Sequence, residues 1–200
     1  MNIILASSSP TRHTLLSRLK IPFQTHRPDI NETARPDEMP NQLAFRLATE
    51  KAQAIKLLYP NHLIIGCDQV ATLDGRTPIG KPQTQSEAFQ QLQKASGQCM
   101  QFFTGVSVLN SHSGTQNTSI ETFKVYFRIL NDEEIHYYIN NEDVLGCAGS
   151  FKAEGLGSAL FRKLEGDDPT SLMGLPLIGL CRLLQDQQIS ILNGSVRNLT

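Results

Sequence analysis

Length, composition and charge indicate one globular domain without a strongly charged surface. The chain has 200 residues, of which 40% are hydrophobic and 18% are charged. This is long enough to bury a core, and we expect residues 1–200 to form a single domain. There are 18 Lys and Arg residues and 19 Asp and Glu residues, which gives a formal net charge of -1. Neither nucleic acid nor a membrane surface is therefore an expected partner.

The cysteines and the N-terminus are typical of a protein of the reducing cytoplasm. Cys67, Cys99, Cys147 and Cys181 are widely separated, so no pair has the spacing of a zinc site or a redox CxxC motif. Free thiols are the expected state. The N-terminal MNIILASSS has an apolar run too short for a signal peptide, and no window approaches the ~18 apolar residues of a membrane span. We therefore expect a cytoplasmic location.

The first part of the chain alternates apolar runs with segments of helical period, which is typical of α/β proteins. Residues 2–6 predict a short buried strand, and Ser9 with Pro10 predicts the cap and first turn of a helix. A second strand is predicted near residues 23–26. The clearest helix is predicted over residues 41–58, where apolar side chains recur every three or four positions: Leu43, Ala44, Leu47, Ala48, Ala54, Ile55 and Leu58.

The middle of the chain predicts a strand buried on both faces, followed by a helix. His62–Cys67 is a continuous apolar run, the pattern of a central strand, and Asp68 is expected at the end of that strand. Thr84 and Glu87 have the spacing of a capping box for a helix that reaches about Ala95.

The last part of the chain predicts two longer strands and two helices. Strands are predicted over residues 102–109 and 120–129, and the second alternates with Phe123, Val125, Phe127 and Ile129 on one face. Asn131 predicts the cap of an acidic helix start, and a short apolar run follows at residues 159–164. A final helix over residues 171–184 is expected to be broken near Pro176.

The SSSP turn is a candidate anion site. A serine-rich turn at a helix N-terminus offers free backbone N–H groups and the positive end of the helix dipole, both of which suit phosphate. Ser7 can add a hydroxyl, and Arg12 can add a fork of N–H donors. The alternative interpretation is that Ser9 only caps the helix and that Arg12 is a solvated surface residue.

Two further features point to charged chemistry. Lys51 falls on the apolar stripe of the predicted helix, so its ammonium must either extend to solvent or meet an anion. Asp68, followed by Gln69, comes after a buried strand, where an acid can hold a metal or orient water. Lys81, in the turn Gly-Lys-Pro, adds a cation. A structural role is the alternative interpretation, in which Asp68 caps a turn and Lys81 is solvated.

Together these residues suit the transfer of a phosphoryl or nucleotidyl group. They supply phosphate donors, cations and the carboxylates of Glu32 and Asp68, and phosphate chemistry depends mostly on positioning and charge neutralisation. The chain has neither GxxxxGK[ST] nor GxGxxG, so a P-loop NTPase and a Rossmann dehydrogenase are not expected.

A series of short blocks runs along nearly the whole chain, from Ile3 to Leu184. In order they are LASSSPTR, PDINET, ATEKAQA, IIGCDQV, GKP, FFTGVSV, AGSFKAEG and SLMGLPL. These blocks resemble, in content and order, the motifs of the Maf-like nucleotide pyrophosphatases. The resemblance implies a mixed α/β fold related to the inosine-triphosphate pyrophosphatases, in which helices flank a twisted sheet and two lobes enclose a deep cleft.

The resemblance also implies an activity and a set of roles. The reaction would be hydrolysis of a nucleoside triphosphate between its α- and β-phosphates, with Mg²⁺ or Mn²⁺ as cofactor. Asp68 would be the catalytic residue and the base for water, and Asp68 and Glu32 would bind the metal. The residues that would hold the phosphates are Ser7, Arg12, Lys51 and Lys81. The implied partners are the small nucleotide substrate and, because homodimers are usual among relatives, a second copy of the chain.

Three positions depart from the majority of the family, and two of them, Gln69 and Glu154, resemble its 7-methyl-GTP branch. Thr11 stands where most members have a first arginine, Gln69 follows Asp68 in place of threonine, and Glu154 replaces a glutamine. A 7-methylguanine ring is cationic and retains N–H donors, so the carboxylate of Glu154 would attract it and accept from those donors. An arginine at position 11 would repel the same ring.

Two other functions remain open at this point. One is the hydrolysis of dTTP and UTP found in most Maf-like proteins, against which Gln69 and Glu154 argue. The other is a non-catalytic, nucleotide-binding regulator of cell division. Asp68 argues against that role, because a protein that only binds a nucleotide has no need of a catalytic acid.

Overall fold

The computed structural model describes residues 2–192, which form one sheet of six strands and six α-helices. The strands are β1 (Asn2–Ala6), β2 (Gln24–His26), β3 (His62–Thr72), β4 (Cys99–Asn110), β5 (Gln116–Phe127) and β6 (Phe161–Glu165). The helices are α1 (Pro10–Ser17), α2 (Pro40–Ala54), α3 (Gln85–Ala95), α4 (Asp132–Asn141), α5 (Pro169–Leu172) and α6 (Leu177–Asp186).

The sheet is mixed, with the strand order β2-β1-β3-β4-β5-β6. Strand β1 pairs in parallel with both β2 and β3, and the remaining neighbours pair antiparallel. The parallel half needs crossover connections, which α1 and α2 provide, whereas β4 and β5 are joined by a short turn. The predicted α/β class with a mixed sheet is confirmed.

Strand β3 extends beyond its parallel neighbour, and this corrects the expected position of Asp68. Strand β1 ends at Ala6, opposite Gly66, but β3 continues to Thr72 alongside β4. Asp68 therefore lies inside the strand, opposite Gly105, rather than at its end. The apolar run stops at Cys67, but the hydrogen-bonded ladder with β4 does not depend on apolar side chains and continues.

Helix α2 lies unusually close to the sheet because glycines face it. A Cβ atom on Gly66 would lie 2.1 Å from the carbonyl oxygen of Ala48, and one on Gly105 would lie 2.5 Å from that of Ala44. Only glycine allows such an approach. The same face of β3 carries Asp68, so this packing brings the helix directly against the acid.

The buried side chains form two large clusters and two small ones. One cluster joins α3, α4 and the far ends of β4 and β5 around Phe102, Phe127 and Phe151. The other joins β1, β3, α1 and α6 around Leu5, Ile65, Leu180 and neighbouring residues. Strands β3 and β4 contribute to both large clusters, so the sheet connects them.

Several predicted boundaries differ from the structure. Helix α2 ends at Ala54, which is exposed, and Leu58 beyond it is 63% exposed. Ile129 follows the end of β5 and is 83% exposed, so it does not join the buried face of that strand. The break near Pro176 is confirmed, since α5 ends before it and α6 begins after it.

The expectations about thiols and caps are largely confirmed. Cys67, Cys99, Cys147 and Cys181 are free. Ser9, Thr84 and Asn131 cap α1, α3 and α4 with their side chains, although Glu87 accepts from the backbone N–H of Gln83 instead of completing a capping box. Within residues 2–192, no helix is both long enough and apolar enough to cross a membrane.

Candidate active site

A cavity of about 470 Å³ opens beside β3, on the side that β1 leaves uncovered after Gly66. Most of the predicted site residues line it, namely Thr11, Arg12, Glu32, Asp68, Gln69, Lys81 and Glu154. Ser7 and Lys51 do not line the cavity, and both lie behind its wall as buried residues. The structure therefore brings together residues that are distant in the sequence.

Lys51 joins the two predicted carboxylates. Its Nζ lies 2.6 Å from Asp68 Oδ1 and 2.7 Å from Glu32 Oε1. Lys51 is only 6% exposed and Asp68 only 7%, so the ammonium meets anions and does not extend to solvent. A buried charge requires such pairing, because removal from water costs several kcal/mol per ion.

Glu32 is held in its ionised form by the surrounding cations. Partial burial acts to raise the pKa of this carboxyl, but the hydrogen bond from Lys51 and the charges of Lys51, Lys81 and Arg12 outweigh it, so the pKa is lowered. Two of these cations, Arg12 and Lys81, line the cavity together with Glu32, and the third, Lys51, belongs to helix α2.

Helix α2 also fixes the loop that carries Glu32. The Arg46 guanidinium donates to the carbonyl oxygen of Thr33 at 3.1 Å and to both carboxylate oxygens of Glu38, at 2.6 and 2.8 Å. It also donates to Glu50 Oε2 at 2.9 Å. The sequence does not single out Arg46, because its partners meet only when this irregular loop folds back on the helix.

The SSSP turn caps α1 and also faces the cavity. Ser9 Oγ accepts from the backbone N–H of Arg12, and the backbone N–H of Ser9 donates to Ser7 Oγ at 3.1 Å. Ser7 is buried and its hydroxyl is occupied in the turn, whereas Ser9, Thr11 and Arg12 line the cavity. The cap predicted at Ser9 is therefore confirmed, but Arg12 is partly buried and lines the cavity, so it is not a solvated surface residue. The N-terminal turn of α1 faces the cavity as well.

Arg12 is oriented by a backbone carbonyl from a distant loop. Its Nε donates to the carbonyl oxygen of Gly174 at 2.9 Å, and the buried thiol of Cys67 donates to the same oxygen at 2.8 Å. Gly174 has φ near 101°, a conformation that favours glycine. With Nε held in this way, the two Nη groups of Arg12 are left to bind an anion.

Gln69 connects β3 to α5. Its Nε2 lies within hydrogen-bond distance of three acceptors, Thr104 Oγ1 at 3.1 Å and the carbonyl oxygens of Ser171 and Leu172 at 2.8 and 3.0 Å. Three acceptors around one atom fix the amide orientation, because only the NH₂ end can donate to them. Its carbonyl oxygen therefore remains as the acceptor that this residue can offer to a ligand.

The Gly-rich block AGSFKAEG forms part of the cavity wall. Glu154 lines the cavity from this block, and so do Phe151 and Lys152. Lys152 is a cation that the sequence analysis does not identify. The signal available in the sequence is its position two residues before Glu154, which places both side chains in the same loop.

Glu32 and Asp68 are the residues that suit a divalent metal. Their oxygens are the hard ligands that Mg²⁺ and Mn²⁺ prefer, and Mg²⁺ in nucleotide sites typically takes one or two carboxylates plus substrate phosphates. Across residues 2–192 there is no cluster of three or more His, Cys, Asp or Glu side chains that would hold a metal alone. The donor set therefore fits a metal that binds together with a phosphorylated substrate.

The fold is α/β, and its cavity brings cations and carboxylates together. Arg12, Lys81 and the α1 N-terminus supply the positive charge, while Asp68 and Glu32 supply the acids. Residues 2–187 match the family described as Maf-like protein, and because this covers most of the chain, the protein belongs to the Maf-like family. The family consists in general of nucleotide pyrophosphatases, hydrolases of nucleoside triphosphates.

Proposed function

We propose that this protein hydrolyses 7-methyl-GTP to 7-methyl-GMP and pyrophosphate, and so removes the modified nucleotide from the cytoplasmic pool. The observation that carries the proposal is the contact of Lys51 with Asp68 and Glu32 at 2.6 and 2.7 Å, in a cavity that Arg12, Lys81 and Glu154 also line. A triphosphate requires cations on one side, and a cationic base favours an acid on the other.

The reaction needs a proton acceptor next to the α-phosphate. Asp68 Oδ1 is bonded to Lys51, which leaves Oδ2 to take a proton from water. The water oxygen forms a bond to the α-phosphorus, the bond from that phosphorus to the bridging oxygen breaks, and pyrophosphate leaves with both bonding electrons. Catalysis of this kind consists mostly of positioning and charge stabilisation.

The other charged residues of the site would bind the phosphates, the metal or each other. Arg12 presents its Nη groups and Lys81 its ammonium to the phosphate oxygens. Lys51 keeps the two acids together and balances one of their charges. Glu32 and Asp68 would hold Mg²⁺ or Mn²⁺, which when bound would neutralise part of the phosphate charge.

Glu154, Thr11 and Gln69 account for the choice of base in this proposal. Glu154 provides a negative charge and two acceptor oxygens for the N1–H and amino donors of 7-methylguanine. Thr11 adds no positive charge at its position in the wall, and Gln69 offers its carbonyl oxygen as a further acceptor. A pyrimidine base carries no positive charge and is smaller than the two-ring system of 7-methylguanine.

The test is pyrophosphate release from a panel of nucleotides with Mg²⁺ or Mn²⁺. We expect the highest kcat/KM for 7-methyl-GTP, with GTP, dTTP and UTP well below it. In Glu154→Gln this preference is expected to fall by about tenfold, because a neutral amide loses roughly 1.4 kcal/mol of attraction for the cation. Equal or better turnover of dTTP and UTP would contradict the proposed substrate. Turnover of no triphosphate would contradict the enzyme assignment and favour a binding role.

A further inference from the structure

The loop that carries Glu154 into the cavity is held at two points by one helix. The backbone N–H of Lys152 donates to the Tyr138 hydroxyl at 3.1 Å, and the backbone N–H of Leu156 donates to Glu142 Oε2 at 3.1 Å. Tyr138 lies in the last turn of α4, and Glu142 is the C-cap residue whose backbone N–H donates to the carbonyl oxygen of Tyr138. The two anchored amides lie two positions before and two after Glu154, which places this residue midway between the anchors.

Glycines allow the helix and the loop to approach this closely. A Cβ atom on Gly155 would lie 2.3 Å from Glu142 Oε2, and one on Gly157 would lie 2.2 Å from the carbonyl oxygen of Lys152. A side chain at position 157 would collide with the loop backbone, and one at position 155 would displace the Glu142 carboxylate from its contact with Leu156.

Tyr138 is a neutral acceptor in this arrangement. It is 2% exposed, and burial raises the pKa of its hydroxyl. The hydrogen bond from Lys152 opposes this change, but the nearby charges of Glu142 and Glu154 add to it. The phenol therefore stays protonated and accepts from the loop amide through its lone pair.

The location of Glu142 is not explained by the stability of α4. It is the C-cap residue, where a carboxylate opposes the helix dipole. Its contacts with the loop do explain it, since Oε2 binds Leu156 and Oε1 lies 3.4 Å from Lys152 Nζ. Lys152 lines the same cavity as Glu154. Without a partner in Glu142, its ammonium would be free to pair with Glu154 and cancel the charge that selects the base.

We propose that Tyr138 and Glu142 are positioning residues for Glu154. They fix the loop around it, and Glu142 keeps Lys152 from neutralising it. This inference rests on the proposed function, in which the charge of Glu154 attracts the 7-methylguanine ring.

The test measures binding of 7-methyl-GTP and of GTP by calorimetry in EDTA, so that no turnover is needed. We expect the wild type to prefer 7-methyl-GTP, and Glu142→Gln to reduce this preference by about fivefold. The amide that this substitution introduces can still accept from Leu156, so the loss reports the released Lys152. Adding Lys152→Met to Glu142→Gln is expected to restore the preference. Glu133→Gln, the same change on the exposed first turn of α4, is the control and should bind like the wild type.

Hydrogen exchange across residues 150–157 tests the anchoring without any ligand. Faster exchange in Tyr138→Phe, with the rest of the chain unchanged, is expected. Unchanged exchange there, an unchanged nucleotide preference in Glu142→Gln, or no restoration by Lys152→Met would each overturn the inference. A wild-type protein that binds 7-methyl-GTP and GTP equally well would also overturn the inference. Selective binding without turnover would instead contradict only the proposed hydrolysis.

Discussion

At the scale of single residues, the central feature is one lysine shared by two acids. Lys51 balances one of the charges of Asp68 and Glu32, so the group retains a net negative charge inside a cavity that Arg12 and Lys81 make positive. Lys51 and the nearby charges of Lys81 and Arg12 outweigh burial and lower the pKa of the Glu32 carboxyl. In the proposed reaction, Asp68 accepts a proton from water next to the phosphates.

Replacement of Asp68 tests this directly. Asp68→Asn retains Oδ1 as an acceptor for Lys51, so we expect the melting temperature to stay within a few degrees of the wild type. Turnover of triphosphates should fall by about 10²–10⁴-fold, because the amide cannot accept the proton from water. Asp37→Asn, in an exposed turn with φ near 59° that asparagine tolerates, is the matched control and should retain full activity. Near-normal turnover in Asp68→Asn would remove this residue from its proposed role.

At the scale of elements, the site depends on how helix α2 holds the preceding loop. The Arg46 guanidinium binds Glu38, Glu50 and the carbonyl oxygen of Thr33, next to Glu32. The hydrogen bonds from Arg46 lower the pKa of Glu38 from 4.5 to about 2, and the bond from the backbone N–H of Arg35 acts in the same direction. The loop that presents a metal-binding candidate is thus fixed by charge-assisted bonds on its outer side.

The lowered pKa predicts how this contact responds to acid. Because the pKa of Glu38 is depressed in the folded protein, its contribution to the free energy of unfolding is complete above pH 4.5 and is lost as the pH falls towards about 2. Glu38→Gln should therefore be destabilised by about 1–2 kcal/mol near neutral pH, and this difference should disappear over that acid window. Urea unfolding of both proteins across the pH range measures it. A difference that does not change with pH would show that the charge of Glu38 is not involved.

The same elements show which parts of the site the sequence can predict. The spacing of α2 places Lys51 on its apolar stripe, which leaves two outcomes for its ammonium, extension to solvent or pairing with an anion. The structure shows the second. The continuous apolar run of β3 predicts a central strand but not which face each residue occupies, so it cannot show that Asp68 faces α2. The strand predicted from this run also ends too early, at Cys67, because the pairing of β3 with β4 continues through polar residues to Thr72.

Sequence patterns do not predict contacts that depend on loop conformation. The bonds from Gln69 to Ser171 and Leu172, and from Arg12 to Gly174, join segments about a hundred or more positions apart. No periodicity relates such positions, and their partners are backbone carbonyls, which every residue has. The resemblance to the family identified the blocks that meet, whereas the atoms that join them required the structure.

At the scale of the whole molecule, the cavity is lined by segments that lie far apart in the chain. Arg12 lies in α1, while Lys81 lies in the segment before α3. A triphosphate held by both cations would link these segments across the cavity. Binding would then stabilise the entire fold and not only the loops that it touches.

Thermal unfolding with and without 7-methyl-GTP in EDTA tests this link. At a ligand concentration about 100 times the Kd, we expect stabilisation of roughly 2.7 kcal/mol, equivalent to about 5–10 °C for a chain of this size. Lys81→Gln removes a charge from an exposed turn, so the unliganded protein should melt normally while the ligand-induced shift becomes smaller. Lys94→Gln, an exposed lysine at the end of α3, is the control and should retain the full shift. A full shift in Lys81→Gln would mean that the nucleotide is held from the α1 side alone.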